Sequence, residues 1–400
     1  MERIIFHIDV NSAFLSWTSV ENLRTGRGPD LRLIPAIIGG DQSSRHGIVL
    51  AKSIPAKAFG IYTSQPVAQA LRLCGDLTVY PPEHELYRRF SRELMAYLKS
   101  LTPDVEQLSI DECFLDFTGI AHRYPSPVQA AHSIRDTIYA RFGFTVNIGI
   151  SSNKLLAKMA SDFEKPNRVH TLFPSEVPEK MWPLPVGELY MAGRSSVQTL
   201  RKLGIRTIGD LAKADPALLR SHLKSHGETL WRYANGLDTS PVAPNPAPAK
   251  GIGNAVTLAK DAETRQEAHQ VLRNLAESVS ARLRKAGQMA GSVCVEMKYA
   301  DFVSVSHQTQ LVTPCRSAEE LYRTACGLFD KLWNGAPIRL LGIRASKLTA
   351  ETEPVQLSLF DPEMKKSEKE RRLDKALDAI RSRYGKDAVR RGMPPKSPDS

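Results

Sequence analysis

The stretch that most constrains this chain is Gln107-Leu108-Ser109-Ile110-Asp111-Glu112-Cys113-Phe114-Leu115-Asp116, where two adjacent carboxylates interrupt a run that otherwise reads as a buried strand. Taking a bare carboxylate out of water costs several kcal/mol even after relaxation, so this pair must be hydrated, paired or bound to cations. A second strand-like run, Arg3-Ile4-Ile5-Phe6-His7-Ile8-Asp9-Val10, brings another carboxylate just before a polar turn at Asn11-Ser12. Three carboxylates at strand ends suit two-metal phosphoryl transfer, because divalent cations about 3.5–4 Å apart need bridging and flanking oxygens. Side chains alternate faces along a strand, so Asp111 and Glu112 converge only if the chain turns or bulges there.

Four hundred residues exceed what one core usually supports, and roughly two to four folding units are expected. With 42% hydrophobic and 24% charged residues the composition is that of a soluble globular chain. No window approaches the ~18 uninterrupted apolar residues that span a bilayer, and the N-terminus has no secretory pattern. The expected setting is therefore the cytoplasm, with no membrane partner. The five cysteines, Cys74, Cys113, Cys294, Cys315 and Cys326, are scattered and include no pair two residues apart, which supports neither a disulfide framework nor a zinc site.

The net charge of +11 suggests a polyanionic partner, and its distribution says more. Residues 1–178 hold 19 basic against 18 acidic residues, so ten of the eleven excess positive charges lie beyond residue 178. That pattern fits a nearly neutral catalytic unit joined to basic modules that grip a phosphate backbone. Up to about residue 178, strand-like runs at 4–10, 36–38, 48–51, 77–80, 105–110, 113–117 and 146–150 alternate with amphipathic helical stretches at 86–101 and 128–142. The alternation predicts a mixed sheet with helices on one face. Ser152-Asn153 starts a helix and Lys165-Pro166-Asn167 stops it.

Residues 179–240 read as short helices with glycine-containing turns at Ala192-Gly193-Arg194 and Leu203-Gly204-Ile205, an arrangement that points backbone N–H groups at phosphates. Pro241, Pro244, Pro246 and Pro248 make the next segment extended and semi-rigid, the clearest boundary in the chain. Beyond it, Val271, Leu272, Leu275, Val279 and Leu283 form one helical face, followed by strands at 291–299 and 304–311, a helix at 318–333 and a strand at 339–347. A charged helix is predicted from about 366 to 384.

Four phrases in order resemble a Y-family translesion DNA polymerase of the DinB/UmuC type: His7-Ile8-Asp9-Val10-Asn11-Ser12-Ala13-Phe14, Ala56-Lys57-Ala58-Phe59-Gly60-Ile61, Ser109-Ile110-Asp111-Glu112, and residues 149–162 through Lys165-Pro166-Asn167. The resemblance implies an α+β, multidomain right-hand polymerase: mixed-sheet palm (1–10 and 76–178), small fingers (11–75), helix-hairpin-helix-like thumb (179–240), linker (241–249), α/β little finger (250–348) and a tail (349–400). It implies two Mg²⁺ ions held by Asp9, Asp111, Glu112 and the backbone carbonyl of Val10, with the three carboxylates as the catalytic set. Phe14 matches the steric gate that excludes a ribose 2′-hydroxyl. Lys57 and Lys165 fall at nucleotide-binding positions.

Three positions depart from the family pattern. Ile54 and Lys57 stand where relatives present a Tyr and an Arg to the triphosphate, so a hydrogen bond and a bidentate fork are lost. Asn11 replaces a second Asp common in relatives. Gln356-Leu357-Ser358-Leu359-Phe360 resembles the peptide by which bacterial polymerases dock on the sliding clamp (beta subunit), with Leu359 and Phe360 filling an apolar groove. The implied partners are primer–template DNA, dNTP and the clamp, and the implied state is a monomer. The implied activity is template-directed, low-fidelity DNA synthesis without proofreading. A catalytically weak, clamp-tethered DNA-binding accessory is the alternative that Ile54 and Lys57 raise; a nucleotidyl cyclase on a similar palm would have no use for the basic C-terminal modules.

Overall fold

In the first strand, β1 (Ile5–Val10), every residue is buried, and alternate side chains serve two different cores. Phe6, Ile8 and Val10 join a cluster with Leu86, Phe90, Leu94, Ile134 and Ile138, while Ile5 packs on the other face with Phe114 and Ala157. The computed structural model describes residues 3–40, 47–245 and 248–350, with scattered positions between 376 and 389. It divides into two units, Met1–Pro246 and Ala247–Ser400, and the cut falls inside the proline-rich segment. The peptide Gln356–Phe360 and most of the charged helix expected at 366–384 lie outside the described residues.

Along the first unit, β1 is followed by α1 (Ala13–Thr25), β2 (Ala36–Gly39), β3 (Val49–Lys52), α2 (Ile54–Ala58), α3 (Val67–Leu73), β4 (Thr78–Tyr80) and α4 (His84–Leu101). Then come β5 (Val105–Gln107), β6 (Glu112–Asp116), α5 (Pro127–Phe142), β7 (Val146–Ser151), α6 (Lys154–Asp162) and β8 (Val169–Thr171). The larger sheet has the order β5-β6-β1-β7-β8, with β1 antiparallel to both neighbours and β7 parallel to β8. A small sheet, β3-β2-β4, pairs β2 antiparallel to β3 and parallel to β4.

Local sequence explains the helices. Leu86, Phe90, Leu94 and Leu98 recur every four residues along α4 and are all buried. Burying each such side chain contributes about 1.5–3 kcal/mol. Ser126 accepts a hydrogen bond from Gln129 N to start α5, and Gly143 at φ 82° ends it, a left-handed conformation that costs glycine little. Asn153 likewise caps α6 by accepting from Leu156 N.

Helices on one face of the larger sheet were expected, and the structure corrects this. Helices α4 and α5 cover one face, but α6 packs on the other, against β1 and β7. The buried residues at both parities of β1 need such two-sided cover. Close approach of α6 depends on Gly149, where an added Cβ would lie 2.0 Å from Ala157 O.

Four further helices complete this unit: α7 (Arg194–Lys202), α8 (Ile208–Lys213), α9 (Pro216–Leu223) and α10 (Ser225–Ala234). Gly204 at φ 81° turns the chain between α7 and α8, and Thr207 and Asp210 cap α8 reciprocally. Leu200, Ile208, Leu211, Leu219 and Leu230 share one core with Leu155, Leu156 and Met159 of α6, so α6 belongs to both halves of the unit.

The second unit is a four-stranded antiparallel sheet, β11-β10-β12-β9, formed by β9 (Gly251–Ala262), β10 (Gln288–Tyr299), β11 (Ser304–Cys315) and β12 (Ile338–Ala350). Helices α11 (Arg265–Lys285) and α12 (Ala318–Leu332) pack Leu272, Leu275, Val279, Leu321 and Phe329 onto Val293, Val295, Leu341 and Ile343. Strand β9 was not expected, and its glycines and charges give it little intrinsic strand preference. It forms by pairing with β12, where a Cβ on Gly251 would meet Ala345 O at 2.8 Å.

Candidate active site

Asp9 is the fifth residue of β1 and lies directly across from Glu112 at the start of β6 on one side and Asn147 on β7 on the other. Strand pairing alone therefore sets Asp9 beside Glu112. A strand continuing through residue 110 was expected; instead β5 stops at Gln107 and residues 108–111 turn into β6. Ser109 organises that turn. Its hydroxyl donates to Asp111 Oδ1 at 2.6 Å and accepts from Glu112 N at 3.1 Å, while Leu108 N and Ser109 N both donate to Glu112 O. Val10 N donates to Asp111 O at 3.1 Å, tying the turn to the end of β1. The required bend is thus supplied by a hairpin, which puts Asp111 next to the strand pair bearing Asp9 and Glu112.

Two lysines close on these acids. Lys158 of α6 donates to Glu112 Oε1 at 2.6 Å and lies 3.4 Å from Asp162, while Lys165 bonds Asp9 and lies 2.8 Å from Asp162. Burial raises the Asp9 carboxyl from 3.8 to about 6, against the opposing pull of Lys165 and Lys158. Burial disfavours both ammoniums, but the surrounding carboxylates outweigh it and hold each above the usual lysine range. Behind them, His7 is held neutral by burial and by both lysines, with Nδ1 2.7 Å from Ser161 Oγ.

Among the described residues, no three acidic, histidine or cysteine side chains stand close enough to share one cation. The ammoniums of Lys158 and Lys165 provide the countercharge in this arrangement. The donor chemistry nevertheless fits a hard divalent cation, since Asp9, Asp111 and Glu112 are oxygen donors on directly connected backbone, with one of them largely desolvated.

Phe14, in the first turn of α1, is half-buried and stacks on Tyr87 at 4.3 Å with an interplanar angle of 8°. The Tyr87 hydroxyl is in turn within 3.1 Å of Thr18 Oγ1, so the ring has little freedom. Lys57 sits exposed at the end of α2, out of contact with the carboxylates, and its neighbour in charge is Lys52, whose ammonium is lowered by burial and by Lys57. Ile54 is 59% exposed at the start of the same helix. The structure sets Asp9 beside Glu112 and Lys165 and ties the backbone of Asp111 to the same strand end, but leaves Lys57 apart. Sequence reasoning passed over Lys158, Asp162, Ser109 and Asn147. The signal for Lys158 was present: a lysine inside a helix whose neighbours Leu155, Leu156 and Met159 are all apolar.

A five-stranded mixed sheet presenting carboxylates at the ends of adjacent strands, followed by a helical region and a separate α/β unit, has the architecture of a right-hand nucleotide polymerase. A solved Y-family DNA polymerase chimera superposes with a TM-score of 0.75 at 21% identity, covering 87% of this chain and 99% of that one. Residues 8–162 match the impB/mucB/samB family and residues 249–359 match its C-terminal domain. The chain is 44% identical to the DNA polymerase IV of Clostridium acetobutylicum over 98% of both chains. It is 36% identical to the DNA polymerase IV 1 of Bacillus subtilis, over 100% of this chain and 94% of that one. The chain belongs to the impB/mucB/samB family, the DinB-like Y-family DNA polymerases.

Proposed function

We infer that this chain is a DNA-directed DNA polymerase of the translesion type, transferring nucleotides from dNTP to a primer 3′-hydroxyl without proofreading. The observation that carries this reading is the pairing of Asp9 with Glu112 across β1 and β6, with Asp111 hydrogen-bonded to the same strand end, in a family member alignable over nearly its whole length. The accessory reading is not favoured, because the chain aligns over nearly its whole length with relatives named DNA polymerase IV and keeps all three carboxylates in its sequence.

The residues divide the work as follows. Asp9, Asp111, Glu112 and the carbonyl of Val10 would hold divalent cations, in our reading two Mg²⁺, which when bound lower the pKa of the attacking hydroxyl and neutralise the triphosphate. Lys165, on the segment after α6, places a positive charge where negative charge develops on the departing pyrophosphate. Lys57 contributes an exposed charge to the triphosphate without the geometry of an arginine fork. Phe14, stiffened by its stack on Tyr87, fills the space a ribose 2′-hydroxyl would need. The excess basic residues after position 178 bind the primer–template backbone. Gln356, Leu357, Ser358, Leu359 and Phe360 dock on the sliding clamp, and the protein works as a monomer in the cytoplasm. Among the described residues no helix is long and apolar enough to cross a membrane.

Primer extension by the purified chain tests the assignment. Asp111→Ala should lower extension by at least about 10³-fold, a loss of transition-state stabilisation of about 4 kcal/mol, while primer–template affinity stays within about twofold. Retained synthesis in that variant would remove Asp111 from the site.

A further inference from the structure

Lys165 lies on a segment without regular structure between α6 and β8, so its backbone needs hydrogen-bond partners from elsewhere. Two buried asparagine side chains supply them. Asn147, fully buried on β7, donates from Nδ2 to Ser161 O at 3.0 Å and to Glu164 O at 2.7 Å. Its Oδ1 accepts from Arg168 N at 3.2 Å and from Asn11 Nδ2 at 3.1 Å. Both donors and both lone pairs of the amide are therefore used. Asn11, 8% exposed, accepts at Oδ1 from Asn167 N at 2.9 Å.

Backbone groups at 161, 164, 167 and 168, on both sides of Lys165, are thus held by two side chains. Asn147 is also the cross-strand partner of Asp9, so the network ties the lysine segment to the strand that presents the carboxylate. The match is chemical as well as spatial. A carboxylate at position 11 could still accept from Asn167 N, but it could not donate to Asn147 Oδ1, so the amide at position 11 suits the amide at 147.

We propose that Asn147, together with Asn11, is a positioning residue that fixes Lys165 for the triphosphate of the incoming nucleotide. The proposal rests on the reading of Lys165 as a nucleotide ligand. An amide that acts through Lys165 can lose no more than Lys165 itself supplies, which distinguishes positioning from general support of the fold.

The test is steady-state single-nucleotide incorporation by the full chain and by Asn147→Ala, Lys165→Ala and the double variant, with primer–template affinity and Tm measured in parallel. Asn147→Ala is expected to lower kcat/KM for dNTP by about tenfold or more, with DNA affinity within about twofold. The double variant should match Lys165→Ala to within about threefold, because coupled residues are not additive. Losses in the double variant that multiply, or an Asn147→Ala enzyme with unchanged kcat/KM, would overturn the proposal. If Asn147→Ala does not fold, Asn11→Ala, which removes only the bonds to Asn167 N and Asn147, carries the same comparison with the same criteria. Failure of the parent chain to extend any primer would instead sink the polymerase reading.

Discussion

Gly149→Ala is a single methyl whose cost follows from the packing of α6 on β7. An ideal Cβ at this position would lie 2.0 Å from Ala157 O, 2.5 Å from Ser161 N and 3.0 Å from Ala160 Cβ. Two of those atoms are helix backbone, so no rotamer change relieves the clash. Restoring ordinary contact near 3.4 Å moves the helix by roughly 1.4 Å, and overpacking of this kind costs about 1–3 kcal/mol or more. A backbone clash of this depth falls at the upper end, about 3 kcal/mol, and alanine recovers up to about 1 kcal/mol by restricting the unfolded chain, which leaves a net loss of about 2 kcal/mol. At roughly 2–4 °C per kcal/mol for a unit of this size, Tm should fall by about 4–8 °C or more. The same displacement shifts Lys158 and the start of the segment bearing Lys165, so nucleotide incorporation should fall at temperatures well below the melt. Calorimetry and incorporation assays on the full chain measure both effects. Gly119→Ala is the control, since nothing lies within 4 Å of the added carbon. A Gly149→Ala protein melting within about 2 °C of the parent, with unchanged incorporation, would refute the close packing of α6 on the sheet.

Removing the ring in Phe14→Ala, and with it the stack on Tyr87, should lower discrimination against ribonucleotides by at least about tenfold, read as the ratio of kcat/KM for dNTP and NTP. Deleting residues 356–360 should reduce clamp-stimulated synthesis while basal extension persists; equal loss of both would give the segment a structural role. The Arg32 guanidinium and Ser19 hydroxyl lower the Asp30 carboxyl from 3.8 to about 2. A depressed folded-state value means this stabilisation is present above about pH 4 and is lost as pH falls through about 2, so the Tm deficit of Asp30→Asn should be full at pH 7 and vanish on acidification. A deficit independent of pH would assign it to packing.

Much of the architecture was legible because it is written in local periodicity. The four-residue repeat of α4, the Asn153 start of α6 and the unbroken apolar run of β1 each act within one element, so they can be read without knowing the neighbours. The proline cluster at 241–248 marked the division between units for the same reason: proline restricts its own backbone whatever surrounds it. Strand β9 escaped notice because its order comes from pairing with β12 and not from its own residues. The placement of α6 on the second face of the sheet was missed because buried strands read as apolar at every position wherever their covering helices lie.

For the site itself, the amino-acid order determined which acids were available: an Asp-Glu pair, an isolated Asp at a strand end, and a lysine beside a helix stop. Their residue types were enough to point to cation and phosphate chemistry. Only the tertiary structure decided how they are arranged. The register that sets Asp9 between Glu112 and Asn147, the lysine bonds to Glu112 and Asp9, and the bonds from the Asn11 side chain join residues between about forty and more than one hundred and fifty positions apart. Hydrogen bonds and ion pairs act over a few ångströms, so separation along the chain carries no information about them until the sheet has closed.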